Sequence, residues 1–287
     1  MLAAAAAMGV SIAIGLAASR PATANALVAG GGPPAVPYVV TAAAQRAAAA
    51  FWTPGRMEQA AAAGGAPKRT PTAVKFAGVP TVGTLFYTTG TGRHFCTASV
   101  TDSASGDLVL TAAHCVYRTR YATNVAYVPQ YHNGLRPYGI WPVKAMLVTS
   151  RWKTAHDPDD DFAFLALAMA GTQQVQAVTN GLALGLNASY AEAIDVIGYN
   201  DSDDQPVRCR TRSFKFRAGQ QEFFCHDFWT GTSGGPWITG LNPATGTGTV
   251  HGVIGGYQEG GRYEWASYSP YFSSPTATLY LAAKKLG

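Results

Sequence analysis

Two short stretches of this chain carry residues able to do acyl chemistry: Thr111-Ala112-Ala113-His114-Cys115 and Gly231-Thr232-Ser233-Gly234-Gly235-Pro236. A serine hydroxyl is a weak nucleophile at neutral pH. It needs a base within hydrogen-bond reach and donors aimed at the oxyanion it creates. His114 is a candidate base and Ser233 a candidate nucleophile. Glycines on both sides of Ser233 let the backbone turn sharply, so that N–H groups can face one point; the amides of Gly231 and Ser233 are the candidate oxyanion hole. Alone, a Gly-x-Ser-Gly-Gly run reads as a flexible loop and a His before a Cys as a packed core residue. Together, in this order, they fit the template of a serine triad.

A triad also needs an acid to orient the imidazole. Asp157, Asp159, Asp160 and Asp161 crowd together, and a charge run reads first as a solvated loop. Asp161 differs because Phe162-Ala163-Phe164-Leu165 follows at once, the pattern of a buried strand. A carboxylate at the mouth of such a strand can be partly buried yet bonded to an imidazole, fixing its tautomer and stabilising the imidazolium. Asp161 is the candidate acid, with Asp160 second.

At these residues the chain resembles the chymotrypsin-like serine peptidases, in the secreted bacterial branch that includes the glutamyl endopeptidases. The family motif Thr-Ala-Ala-His-Cys is intact at 111–115, and Gly-Asp/Asn-Ser-Gly-Gly/Ser-Pro reads here Gly231-Thr232-Ser233-Gly234-Gly235-Pro236. The family's acid opens an Asp-apolar-Ala-apolar-Leu strand, matched by Asp161-Phe162-Ala163-Phe164-Leu165. The order His, Asp, Ser is the chymotrypsin order. The resemblance covers about residues 72–287. It implies an all-β fold of two antiparallel six-stranded β-barrels with a C-terminal helix, His114 and Asp161 coming from the first barrel and Ser233 from the second. It also implies that Cys96 pairs with Cys115, which leaves Cys209 to pair with Cys225. By count alone the four cysteines permit three pairings. A zinc reading of His94, Cys96, His114, Cys115, Cys225 and His226 lacks a Cys-x-x-Cys pair.

Some positions depart from the family pattern. Thr232 stands where related zymogens carry the Asp that pairs with a new N-terminus, so activation by that salt bridge is not expected. The family's Ser-Trp-Gly substrate-lining strand becomes Gly255-Gly256-Tyr257, without the helper Ser that contacts the acid. Asp227, six residues before Ser233, matches the position of a carboxylate that binds cationic side chains, and reads equally well as a surface Asp. The His that confers glutamyl preference has no match; His251 sits too early and Ile254 occupies its place. The side-chain preference is therefore unassigned, with Asp227, Gly255, Gly256 and Tyr257 as candidate substrate-binding residues.

Positioning these side chains falls to a series of short strands. Apolar runs between turn residues recur at 82–87, 95–100, 108–112, 125–128, 143–148 and 162–167, then at 194–199, 207–216, 222–225, 236–239, 249–257 and 262–267. Ser274 can cap, and Pro275 can open, a final helix running to Leu286. The chain divides into an apolar secretory signal at 1–26, an Ala-, Gly- and Pro-rich propeptide or linker at 27–70, a first barrel at 71–180 and a second, with the helix, at 181–287. A short helix is expected from Thr41 to Ala50. The signal lacks a basic residue ahead of its apolar run, and an uncleaved anchor is the alternative.

The 287 residues, 47% hydrophobic, can hold one sizeable all-β domain or two small barrels, and a net charge of +5 spread along the chain gives no nucleic-acid signature. An even number of cysteines suits an oxidising compartment. The expectation is a secreted, extracellular, monomeric serine endopeptidase acting on protein or peptide substrates. It uses no cofactor or metal and has no stable membrane association after signal removal. The alternatives are a catalytically silent binding protein on the same fold, or an esterase using the same three residues.

Overall fold

The computed structural model describes residues 40–51, 53, 65–90, 92–201 and 203–286. The proposed signal at 1–26 lies outside the described residues, as does much of the 27–70 segment. Within that segment helix α1 spans Ala42–Phe51, close to expectation, and buries none of its side chains.

The first half of the compact unit is a closed barrel of β2 (Val82–Thr89), β3 (Gly92–Val100), β4 (Leu108–Thr111), β7 (Ala163–Leu167), β6 (Trp141–Val148) and β5 (Thr123–Pro129), in that order. Strand β7 explains its own sequence. It is buried along its whole length, because both faces are covered. Ala163, Leu165 and Leu167 point into the barrel core with Val109 and Trp141. Phe162, Phe164 and Ala166 point outward into a second core, shared with Ile197, Ile238 and Val253 of the other half. Burying a Phe or Leu side chain contributes about 1.5–3 kcal/mol, so this shared cluster fixes the two halves, and the groove between them, with respect to one another.

The second half is an eight-stranded sheet. Its path runs β14 (Ala266–Pro270), β11 (Gln220–Phe224), β10 (Pro206–Arg217), β9 (Ala193–Tyr199), β12 (Pro236–Thr239), β13 (Thr249–Val253) and β8 (Ala183–Leu184). Its ends curl together: Gly255 N–H donates to the Tyr268 carbonyl at 2.9 Å and Val253 N–H to Ser269 Oγ at 3.0 Å. Two details depart from an all-antiparallel six-stranded barrel. Strand β8 pairs in parallel with β13, and β1 (Val74–Lys75) pairs with β10, tying the start of the unit to the second half. Both strands are two residues long, too short to leave a periodic trace in the sequence. Strand β13 also stops at Val253, and the expected strand at 262–267 is displaced to Ala266–Pro270.

Among the described residues three further short helices follow α1: α2 (Ala113–Val116), α3 (Ser150–Ala155) and α4 (Val175–Thr179). The terminal helix α5 (Ser274–Ala283) starts one residue earlier than expected, with Ser273 as cap and Ser273 N–H donating to Thr276 Oγ1 at 3.3 Å. Its Leu279 and Ala283 enter the shared core, and Tyr280 packs on Phe164 at 5.5 Å between ring centroids. Both expected disulfides, Cys96–Cys115 and Cys209–Cys225, are formed.

Candidate active site

His114 lies on α2, the single helical turn that follows β4. Its neighbour Cys115 is bonded to Cys96 on β3, which pins that turn to the barrel wall. Asp161 comes from a different route, a 3-10 turn at Pro158–Asp160 in which Asp157 Oδ1 accepts Asp159 N–H at 3.0 Å. The turn delivers Asp161 fully buried at the head of β7.

The two side chains meet. Asp161 Oδ2 lies 2.8 Å from His114 Nδ1, and Oδ1 accepts the His114 backbone N–H at 2.9 Å. Oδ2 also accepts the Gly256 N–H at 2.8 Å. A carboxylate can only accept, so Nδ1 carries the imidazole proton and Nε2 keeps its lone pair. Burial pulls the His114 pKa down, but attraction to Asp161 and the hydrogen bond to it prevail, and the imidazole titrates above its usual 6.5. Asp160, the second candidate acid, is buried but makes no bond to His114; Arg151, at 4.0 Å, is its ion-pair partner. Desolvation raises its pKa.

Ser233 sits in the loop ahead of β12, partly exposed. Its carbonyl accepts Thr97 N–H from β3 at 2.8 Å. Thr97 also donates through Oγ1 to the Gly231 carbonyl at 3.1 Å, and its own carbonyl accepts Thr111 Oγ1 at 2.9 Å. One buried threonine of the first half thus holds both the serine loop and the strand leading to His114. Gly234, at φ +79°, approaches that strand so closely that a Cβ would lie 2.2 Å from Thr111 Oγ1. Ser233 and His114 line one cleft of about 860 Å³, together with Phe228, Ile254, Gly260 and Ser267. No direct hydrogen bond joins them among the described contacts; such bonds often tighten only when substrate binds.

The peptide planes beside Ser233 are fixed by their carbonyls. Thr230 O accepts Asp201 N–H at 2.7 Å and Thr232 O accepts Gly235 N–H at 2.8 Å. A trans peptide directs its N–H opposite to its carbonyl, which turns the Gly231 and Ser233 N–H groups away from these anchors. Neither N–H has an acceptor among the described residues. Gly231 has φ +96°, and a Cβ there would lie 2.6 Å from the Tyr199 carbonyl, so only glycine fits. Thr232, buried, donates through Oγ1 to the Trp229 carbonyl at 2.7 Å and closes the loop without a charged partner.

The candidate substrate-binding residues lie elsewhere than the sequence suggests. Asp227 is exposed and does not line the cleft. Its backbone is left-handed, at φ +71°, and its N–H donates to Glu264 Oε2 at 2.7 Å. Gly255, Gly256 and Tyr257 are not an open strand edge. Gly256 has φ +75°, Tyr257 starts a 3-10 turn, and the Gly256 N–H is taken by Asp161. That N–H reaches Asp161 where the resemblance implies a serine hydroxyl, and the missing helper Ser was the sequence signal pointing to it. His251 is buried on β13 away from the cleft, and Ile254 lines it. Thr97, and the Arg118–Glu259 pair that joins two cleft-lining residues at 2.9 and 2.6 Å, had no local motif to announce them.

A family model described as Trypsin matches residues 71–273. No curated protein matches the chain significantly. Among solved structures, the protease Anisep from Arthrobacter nicotinovorans is 25% identical with a TM-score of 0.67, covering 75% of this chain and 100% of its own. The thermostable serine protease AL20 from an extremophilic microorganism is 25% identical at a TM-score of 0.66, covering 72% and 98%. A Glu endopeptidase, 15% identical at a TM-score of 0.61 and covering 76% and 98%, shares the fold.

Proposed function

The chain belongs to the trypsin family of chymotrypsin-like serine endopeptidases, and on that premise we propose that His114, Asp161 and Ser233 are its catalytic triad. The single observation that carries this reading is the buried Asp161 carboxylate accepting His114 Nδ1–H at 2.8 Å, beside the cleft that Ser233 shares with His114. In the reaction, Ser233 Oγ attacks the scissile carbonyl carbon while its proton passes to His114 Nε2. Asp161 stabilises the imidazolium, and the Gly231 and Ser233 N–H groups hold the oxyanion. The tetrahedral species collapses by breaking the C–N bond, and His114 returns the proton to the leaving amine. Water, deprotonated by His114, then attacks the acyl-enzyme and regenerates Ser233.

The self-contained Thr232 turn supports a site that forms without a charged N-terminus inserted beside it. The apolar leader and the two disulfides support secretion to the extracellular space. We assign residues 1–26 to the signal, 27–70 to a propeptide or linker, and 71–180 and 181–287 to the two halves. The substrate is protein or peptide; the cleft wall built by Phe228, Ile254 and Ser267 contains no counterpart of a glutamyl-binding His. The test is hydrolysis of a denatured protein by wild type and Ser233→Ala. The variant keeps its fold and loses activity by roughly 10⁶-fold in kcat; a variant retaining a tenth or more of wild-type activity contradicts the assignment.

A further inference from the structure

We propose that Gln220 is the positioning residue for Asp161, a role that rests on the triad reading above. Gln220 opens β11 at the tip of the β10–β11 hairpin, in the second half, and is fully buried. Every polar atom of its amide is used, and none serves its own sheet. Nε2 donates to the Pro158 carbonyl and to Asp159 Oδ1, both at 2.8 Å and both in the turn that delivers Asp161. Oε1 accepts the Tyr257 N–H at 2.9 Å, one residue beyond the Gly256 N–H that binds Asp161 Oδ2. One side chain therefore clamps the backbone on both sides of the acid.

The surrounding residues are shaped for this contact. Gly219, at φ +75°, approaches so closely that a Cβ there would lie 2.4 Å from Asp159 Oδ2. Gly256, whose φ of +75° already favours glycine, approaches the amide so closely that a Cβ there would lie 2.3 Å from Gln220 Oε1. On its far side Tyr257 packs against Phe216 and Tyr268, with centroids at 5.0 and 5.1 Å. The Gly256–Tyr257 segment is held from two directions. Gln221 points to the opposite face and donates to the His251 carbonyl at 2.9 Å, as strand alternation requires, so the adjacent glutamine cannot substitute. With no helper serine at Gly255, Asp161 Oδ2 takes the Gly256 N–H instead, and a backbone donor is only as well placed as the segment that carries it.

The experiment measures kcat per active site, titrated with a fluorophosphonate, and the acid limb of kcat/KM for Gln220→Met. Expected are a roughly 10- to 100-fold fall in kcat, KM within about twofold, and an acid limb moved to lower pH as Asp161 loosens from His114. The other charges acting on His114, Arg118 and Glu259, are unchanged by the substitution. In an Asp161→Asn background the same substitution should cost less than about twofold, because residues acting through one group are not additive. Should Gln220→Met fail to fold, Gln220→Glu keeps the shape and the Tyr257 bond but sets a carboxylate against Asp159, and is expected to lose kcat with KM unchanged. Full kcat per titrated site with an unmoved acid limb, or a loss undiminished in the Asp161→Asn background, overturns the proposal. Full activity of Asp161→Asn itself would instead overturn the triad reading, so the two failures are distinct.

Discussion

Asp161→Asn is the substitution whose consequences follow most directly from the geometry. The carboxylate accepts three N–H groups: His114 N and Nδ1, and Gly256 N. An amide has one acceptor oxygen and one donor nitrogen, so it cannot serve all three. With its oxygen in the Oδ2 position it accepts from Nδ1 and Gly256, and its NH₂ faces the His114 backbone N–H. With its oxygen in the Oδ1 position its NH₂ faces Gly256 N–H and must donate to Nδ1, which drives the imidazole proton to Nε2 and removes the base. Either orientation sets two donors against one another in a fully buried site, at a cost of about 1–3 kcal/mol in stability. Neither stabilises the imidazolium, and kcat falls by up to about 10⁴-fold. The pH dependence has a definite sign. In the wild type Asp161 holds the His114 pKa above 6.5 against the pull of burial; in the variant burial prevails and the pKa drops below 6.5. The acid limb of kcat/KM, measured with a chromogenic peptide over about pH 4 to 9 around the imidazole range, moves downward. The linked stability changes sign with it. The wild-type contribution is complete below 6.5 and is lost as pH rises through the folded-state value, and that loss disappears in the variant. A limb that stays in place or moves upward, or a loss of less than tenfold, refutes the reasoning.

Two other titrations are fixed by the same structure. His251 is buried with neither ring nitrogen partnered among the described residues, and burial holds its pKa below 6.5; the unfolded chain takes up a proton there first, so stability is lost as pH falls through 6.5. His251→Leu is expected to flatten the fall of Tm between about pH 7 and pH 5, and an unchanged slope would count against it. Glu259 raises and Arg118 lowers the His114 pKa, so Glu259→Gln should move the acid limb down and Arg118→Gln should move it up. Both side chains are more than two-fifths exposed, at 45% and 61%, and thermal melts of both variants should shift by less than about 1 kcal/mol in stability. Shifts of the same sign in the two variants would refute this electrostatic account.

The residues proposed as the triad stood out in the sequence because each sits in a local pattern that such chemistry would impose. Ser233 lies among glycines that its loop requires at φ +96° and +79° for Gly231 and Gly234. Asp161 was separated from its acidic neighbours by the apolar run after it, and that run is buried on both faces of β7. The barrel strands were legible for the same reason. What escaped was set by torsions and by contacts distant in sequence. Asp227 keeps the expected spacing from Ser233, but its backbone is left-handed and the residue is exposed. The 249–257 run reads as one strand, yet β13 stops at Val253, and Gly256 at φ +75° turns the segment beyond it into a support for Asp161. Thr97 and Gln220 carry no motif, because their partners lie in other halves of the chain and only the tertiary fold brings them together.

Covalent labelling by a fluorophosphonate tests the central claim most directly, since the reagent reacts only with a serine already activated by its neighbours. The label should map by peptide mass to Ser233 alone, and its rate should rise with pH along the limb that deprotonates His114 and collapse in His114→Ala. A folded wild-type protein that takes no label, or takes it at another residue, contradicts the account.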